Sequence, residues 1–150
     1  MVDVRAKGAK AESDIKLVLR KHTGLGWERT PGSGALDPKH MLKGDLYIPN
    51  KDNVYCVECK HYAEDHVTTK LLTDKKPQII EWWEQAIRQG VQVGRKPLLI
   101  FKHNRSKMFV AYQDMPSAVF GMMLICTHGH EFYISVLEDW LTKEKPRFIQ

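Results

Sequence analysis

Apolar residues recur at helical spacing through residues 8–23. Ala11, Ile15, Val18 and His22 follow one stripe, Leu19 widens it, and Thr23-Gly24 is an end signal. Glu12 flanks the stripe, three residues before Ile15, so this acid can reach a sheet on which the helix packs. Residues 27–30 are expected to form a first strand. The loop Pro31-Gly32-Ser33-Gly34 follows, continuing through 35–43. Residues 46–48 read as a short strand, and 53–60 mix β-branched and aromatic side chains as strands do. Pro49-Asn50-Lys51-Asp52-Asn53 between them predicts a hairpin. Residues 61–73 are polar and expected to be irregular. Asp74 is a candidate cap for a second helix, with Pro77 in its first turn and Gly90 at its end. Ile79, Ile80, Trp83, Ala86 and Ile87 form its apolar stripe, and Trp82 is expected at the core edge. Residues 97–101 and 108–112 read as strands around a turn at 103–106. Residues 116–126 fit either a helix or a buried strand, and 132–134 a short strand. Ser135 followed by Glu138 resembles a capping box opening a last helix. The order predicts an α/β fold with helices packed on a central mixed sheet.

Length and charge narrow the picture. The 150 residues suit one domain spanning 1–150, and 43% hydrophobic with 27% charged residues is ordinary for a globular protein. The longest apolar stretch, 118–126, is too short to span a bilayer, so no membrane partner is expected. No apolar segment near the N-terminus suggests a secretory signal. With three cysteines, an odd number, this points to reduced thiols in a cytoplasm-like compartment. The net charge of +5 favours a polyanionic partner, and Arg5, Lys7 and Lys10 are candidates for a small basic arm.

The densest chemistry lies in Gly44-Asp45-Leu46-Tyr47-Ile48 and Val54-Tyr55-Cys56-Val57-Glu58-Cys59-Lys60. Glu58 and Lys60 share one strand face, and a hairpin can bring Asp45 back beside Glu58. Two carboxylates can hold a hard divalent cation through oxygen, and such a cation polarises a scissile phosphate and acidifies water. A neighbouring ammonium can position that water and neutralise charge on the phosphorane. An acid followed by Glu-x-Lys also arises by chance, so the surrounding sequence matters.

Lys7-Gly8-x-x-x-Glu12, Arg29-Thr30-Pro31-Gly32-Ser33-Gly34, Gly44-Asp45 and Val57-Glu58-Cys59-Lys60, in this order, resemble the archaeal-type (Hjc-like) Holliday junction resolvases. That family belongs to the PD-(D/E)xK nuclease superfamily and has phage-encoded relatives. The resemblance covers roughly residues 5–60. It implies a restriction-endonuclease-like fold, a homodimer, and Mg²⁺-dependent hydrolysis of four-way DNA junctions, with Mn²⁺ as a substitute. It implies that Asp45 and Glu58 hold the metal with the Cys59 backbone carbonyl, and that Lys60 activates water. Glu12 would act through a water or a second ion, and Ser33 would contact the phosphate. Arg29 would hold a phosphate or pair with a neighbouring acid. Gly44 stands where the family usually has proline, and the loop from Ser33 to Asp45 is longer than usual; both bear on substrate choice. A phage-encoded enzyme of this kind would work in the host cytoplasm.

Two alternatives keep parts of this reading. The same site can serve flap, single-stranded or linear DNA, because fold does not fix function. A non-catalytic DNA-binding module would use the positive charge without needing clustered carboxylates. Cys56-Val57-Glu58-Cys59 is not expected to bind zinc, since strand residues three apart face opposite ways. His128-Gly129-His130-Glu131 reads as a polar turn, His61 and His66 as loop residues, and Gln78 as a helix-surface glutamine.

Overall fold

The computed structural model describes residues 4–31 and 43–150, with the side chains of residues 4–6 outside that description. The first helix, α1 (Val4–Thr23), begins earlier than the predicted start at Gly8 and buries Ala11, Ile15 and Leu19. Its end is chemical: the Thr23 hydroxyl donates to the Leu19 carbonyl at 2.6 Å, and Gly24 takes φ +71°. The same hydroxyl accepts the Trp27 indole N–H at 3.1 Å. Trp27 is thereby held in the core, and the strand that follows, β1 (Glu28–Arg29), is shorter than predicted.

The hairpin forms as its turn residues dictate. β2 (Leu46–Tyr47) pairs antiparallel with β3 (Tyr55–Tyr62). Buried Asn53 pins the turn, accepting from the Ile48 N–H and donating to the Ile48 and Lys51 carbonyls. β3 runs two residues beyond Lys60, so His61 and Tyr62 are strand, not loop. A short helix, α2 (Lys70–Thr73), follows, and Asp74 terminates it instead of capping the next one. That next helix, α3 (Gln78–Val93), starts from Pro77 and ends at Gly94 with φ +66°. Gly90 lies inside it. A β-carbon at Gly90 would stand 2.6 Å from the Arg95 carbonyl oxygen, so glycine admits the chain returning to the sheet.

α3 is the crossover between β3 and β4 (Lys96–His103), which pair in parallel. β5 (Phe109–Tyr112), β6 (Met123–Thr127) and β7 (His130–Val136) complete the sheet in the order β1-β2-β3-β4-β5-β7-β6. All its other pairs are antiparallel, so the sheet is mixed as expected. Residues 123–127 resolve the ambiguous segment as an edge strand with Met123 and Leu124 exposed. Ser135 is buried within β7, where its hydroxyl meets the Tyr112 hydroxyl at 2.8 Å; it caps no helix. The last helix is one turn, α4 (Leu137–Asp139), continued by a π-helical turn Trp140–Glu144.

Strand alternation divides the core into two layers. Val57, Cys59, Leu98 and Ile100 pack with α1 and the C-terminal turn around Trp140 and Phe148. Leu99, Phe101 and Ala111 pack with α3. Trp82 is buried at the rim of the second layer, as its place off the stripe suggests. No described helix is long and apolar enough to cross a membrane.

Candidate active site

Asp45 enters the hairpin under tight backbone control. Its N–H donates to the Val57 carbonyl at 2.7 Å, its carbonyl accepts from the Thr30 N–H at 2.9 Å, and its Oδ2 accepts from the Cys59 N–H at 2.7 Å. Gly44 before it takes φ +87°, and a β-carbon there would stand 2.7 Å from the Val57 carbonyl oxygen. The Gly44 N–H donates to Gln89 Oε1 of α3 at 3.0 Å. Proline can supply neither that φ nor that N–H, which explains why glycine stands here. Nothing local marks Gln89: a glutamine on an amphipathic helix carries no signal of a partner 45 residues away.

Glu58 is 3% exposed, and its Oε1 has no hydrogen-bond partner among the described residues. Burial raises its pKa from 4.5 to about 8, and the neighbouring Asp45 charge adds to the rise while Lys60 opposes it. Asp45 is raised from 3.8 to about 6, again chiefly by burial, with the Cys59 N–H pulling the other way. Two carboxylates crowded in a dry site, with Lys60 offsetting the burial only in part, behave in this way. The arrangement fits a divalent cation, which would restore both charges and satisfy the orphaned Oε1. Among the described residues no third His, Cys, Asp or Glu joins them in a ligating cluster. Mg²⁺ typically takes one or two carboxylates and keeps several waters, so two suffice. The Cys59 N–H faces Asp45, and in a strand the carbonyl of the same residue points to the same edge.

Lys60 follows Glu58 on the α3 side of β3 and makes no ion pair or hydrogen bond among the described residues. Glu12 lies close enough to raise both hairpin acids, but its Oε2 accepts from the Arg29 guanidinium at 2.9 Å. Arg29 therefore pairs with an acid, the second of its two expected roles. Ser33 and the loop around it lie outside the described residues, as does the Arg5 side chain. Lys7 and Lys10 belong to α1 and not to a loose arm: Lys7 donates to Asn104 and Lys10 pairs with Asp14.

Cys56 and Cys59 are free, buried thiols on opposite faces of β3, and burial raises the pKa of both. His128 and Gly129 form the β6–β7 turn with φ +54° and +76°. His128 bonds the Asp74 carbonyl and His130 meets Glu84, so both tie the turn to neighbouring elements. His66 packs its ring against Tyr62 and Trp82.

A family described as "Phage putative PDDEXK endonuclease" matches residues 3–149. Protein D14 of Escherichia phage T5 is 36% identical over 148 residues, which cover 93% of this chain and 92% of that protein.

Proposed function

The chain belongs to the phage PD-(D/E)xK endonuclease family, and from that premise we propose a Mg²⁺-dependent endonuclease that resolves four-way DNA junctions. The observation that carries the chemistry is the buried Asp45–Glu58 pair with the Lys60 charge acting on both acids. Asp45, Glu58 and the Cys59 carbonyl would hold Mg²⁺, or Mn²⁺ in its place. The bound cation supplies Lewis acidity at the phosphate and lowers the pKa of water. Lys60 holds the attacking water by its oxygen and neutralises charge as the phosphorane forms. The water gives up a proton to solvent as its oxygen bonds to phosphorus, the bond to the departing sugar oxygen breaks, and that oxygen takes up a proton from solvent. The Cys59 N–H fixes one Asp45 oxygen, leaving Oδ1 for the cation. Glu12 and Arg29 brace the α1 side, and Ser33 is assigned to the phosphate.

We place this chemistry in one nuclease domain, working in the cytoplasm as a homodimer, with one site for each strand cut. The sheet edge available for a second copy is β6, and residues 115–127 around it carry no charge. Cleavage of a labelled four-way junction, beside matched duplex and flap, tests the reading. Paired nicks in the junction, lost with EDTA, support it. Preference for the flap or duplex transfers the site to another substrate. No cleavage of any DNA by the folded protein replaces it with a DNA-binding module.

A further inference from the structure

Beyond Lys60, β3 places Tyr62 on the same face, about 7 Å further along the strand. Tyr62 is 43% exposed, and its orientation is set from behind. Buried Trp82 lies under it with ring centroids 4.8 Å apart at 31°, and His66 abuts its edge at 6.0 Å. Beside this ring, along α3, lies a cleft of about 400 Å³ whose lining also includes Lys60, Gln78, Gln85 and Arg88.

α3 runs back against β3, as the Gln89–Gly44 bond requires, so Arg88 lies toward the Glu58 end and Gln78 toward Tyr62. Lys60 and Arg88 therefore stand toward the candidate metal site, and Tyr62 and Gln78 toward the other end, where Lys76 and Glu81 pair. The cleft's two acids are engaged: Glu81 by Lys76 and Gln78, and Glu84 by His130.

We propose that this cleft receives one unpaired nucleotide of the DNA strand being cut. Its base stacks on Tyr62, its edge meets the Gln78 and Gln85 amides, and its phosphate lies toward Lys60 and Arg88. The inference rests on the nuclease reading and deepens it. A base held in a duplex must be unstacked and unpaired before it reaches Tyr62, whereas a base at a branch point is already free. The cleft thus provides selection for branched DNA by a side chain outside the acid–Glu–Lys set.

The test uses the full chain, with Tyr62→Phe, Tyr62→Ala and Arg88→Ala variants checked for folding by thermal melts. The probe is a branched oligonucleotide carrying 2-aminopurine at the unpaired nucleotide beside the cut, bound in Ca²⁺ to hold back cleavage. Fluorescence should be quenched by the parent and by Tyr62→Phe, but not by Tyr62→Ala. Tyr62→Ala should bind the branched probe about 5- to 150-fold more weakly, the worth of stacking one base, while its affinity for matched duplex stays unchanged. Arg88→Ala should weaken binding and lower the salt slope by about one. Equal quenching by Tyr62→Ala, or equal loss on duplex, overturns the pocket. Parallel cleavage assays in Mg²⁺ separate the two ideas: a parent protein that cuts no DNA ends the nuclease reading, whereas cutting indifferent to Tyr62 ends only the pocket.

Discussion

Replacing Glu58 by glutamine isolates the energetic cost of building this site. In the metal-free protein the folded state holds the Glu58 proton up to about pH 8, whereas the unfolded chain releases it near 4.5. Between those values the folded state binds more protons, so stability is highest below the lower pKa and falls as pH rises through the higher one. Each pH unit in that window removes on the order of 1 kcal/mol, so passing from pH 6 to pH 8 costs roughly 2 kcal/mol. For a chain of this size that is a fall in Tm of about 4–8 °C. Asp45 titrates with Glu58, and the two contributions are not summed. Glutamine removes the charge, keeps the shape and can still donate a hydrogen bond to Asp45. Glu58→Gln should therefore match the parent protein only near pH 4, and in EDTA exceed it by about 2 kcal/mol at pH 6 and roughly twice that at pH 8. Saturation with Mg²⁺ to about 100 times its Kd should return about 2.7 kcal/mol to the parent and little to the variant. The assay is thermal unfolding of both proteins at pH 4, 6 and 8, with EDTA and with Mg²⁺. His61, whose lowered pKa works in the opposite sense, is common to both and cancels in the difference. Parallel pH profiles for the two proteins in EDTA would refute the burial argument.

The same geometry sets four further outcomes. Metal binding at pH 7 should release close to one proton, chiefly from Glu58, read by calorimetry in buffers of different ionisation enthalpy; zero release would mean that Glu58 is already charged. Lys60→Ala should lower the cleavage rate by about a hundredfold or more while leaving the Mg²⁺ titration of stability intact; unchanged cleavage removes Lys60 from the chemistry. Gly44→Ala should destabilise by about 1–3 kcal/mol in urea unfolding, because the added carbon meets the Val57 carbonyl at a positive φ. Gly44→Pro should cost more, since it also deletes the N–H held by Gln89; a neutral result would show that the hairpin entrance can relax.

Much of this protein is written locally. The α1 stripe, the turn at 49–53, the α3 stripe and the β4–β5 hairpin depend on residues within a turn or a strand repeat of one another, so periodicity and turn chemistry disclose them. The acid–Glu–Lys set was legible for the same reason: alternation places Glu58 and Lys60 on one face, and a hairpin returns Asp45. Where the sequence misled, a distant partner had decided. Ser135 and Glu138 spell a cap, but Tyr112 claims the Ser135 hydroxyl inside the sheet. Gly90 spells a helix end, but it exists for the close approach of Arg95. The departure at Gly44 has a cause that the sequence does not show, in the Val57 carbonyl and in Gln89 of α3. The raised pKa values of Asp45 and Glu58 likewise have no local cause, since they come from two core layers closing over the hairpin. Sequence determined which groups stand on which element, because neighbours along the chain suffice for that. Tertiary structure decided how dry those groups are and what holds them, because burial and long-range hydrogen bonds exist only once the layers meet.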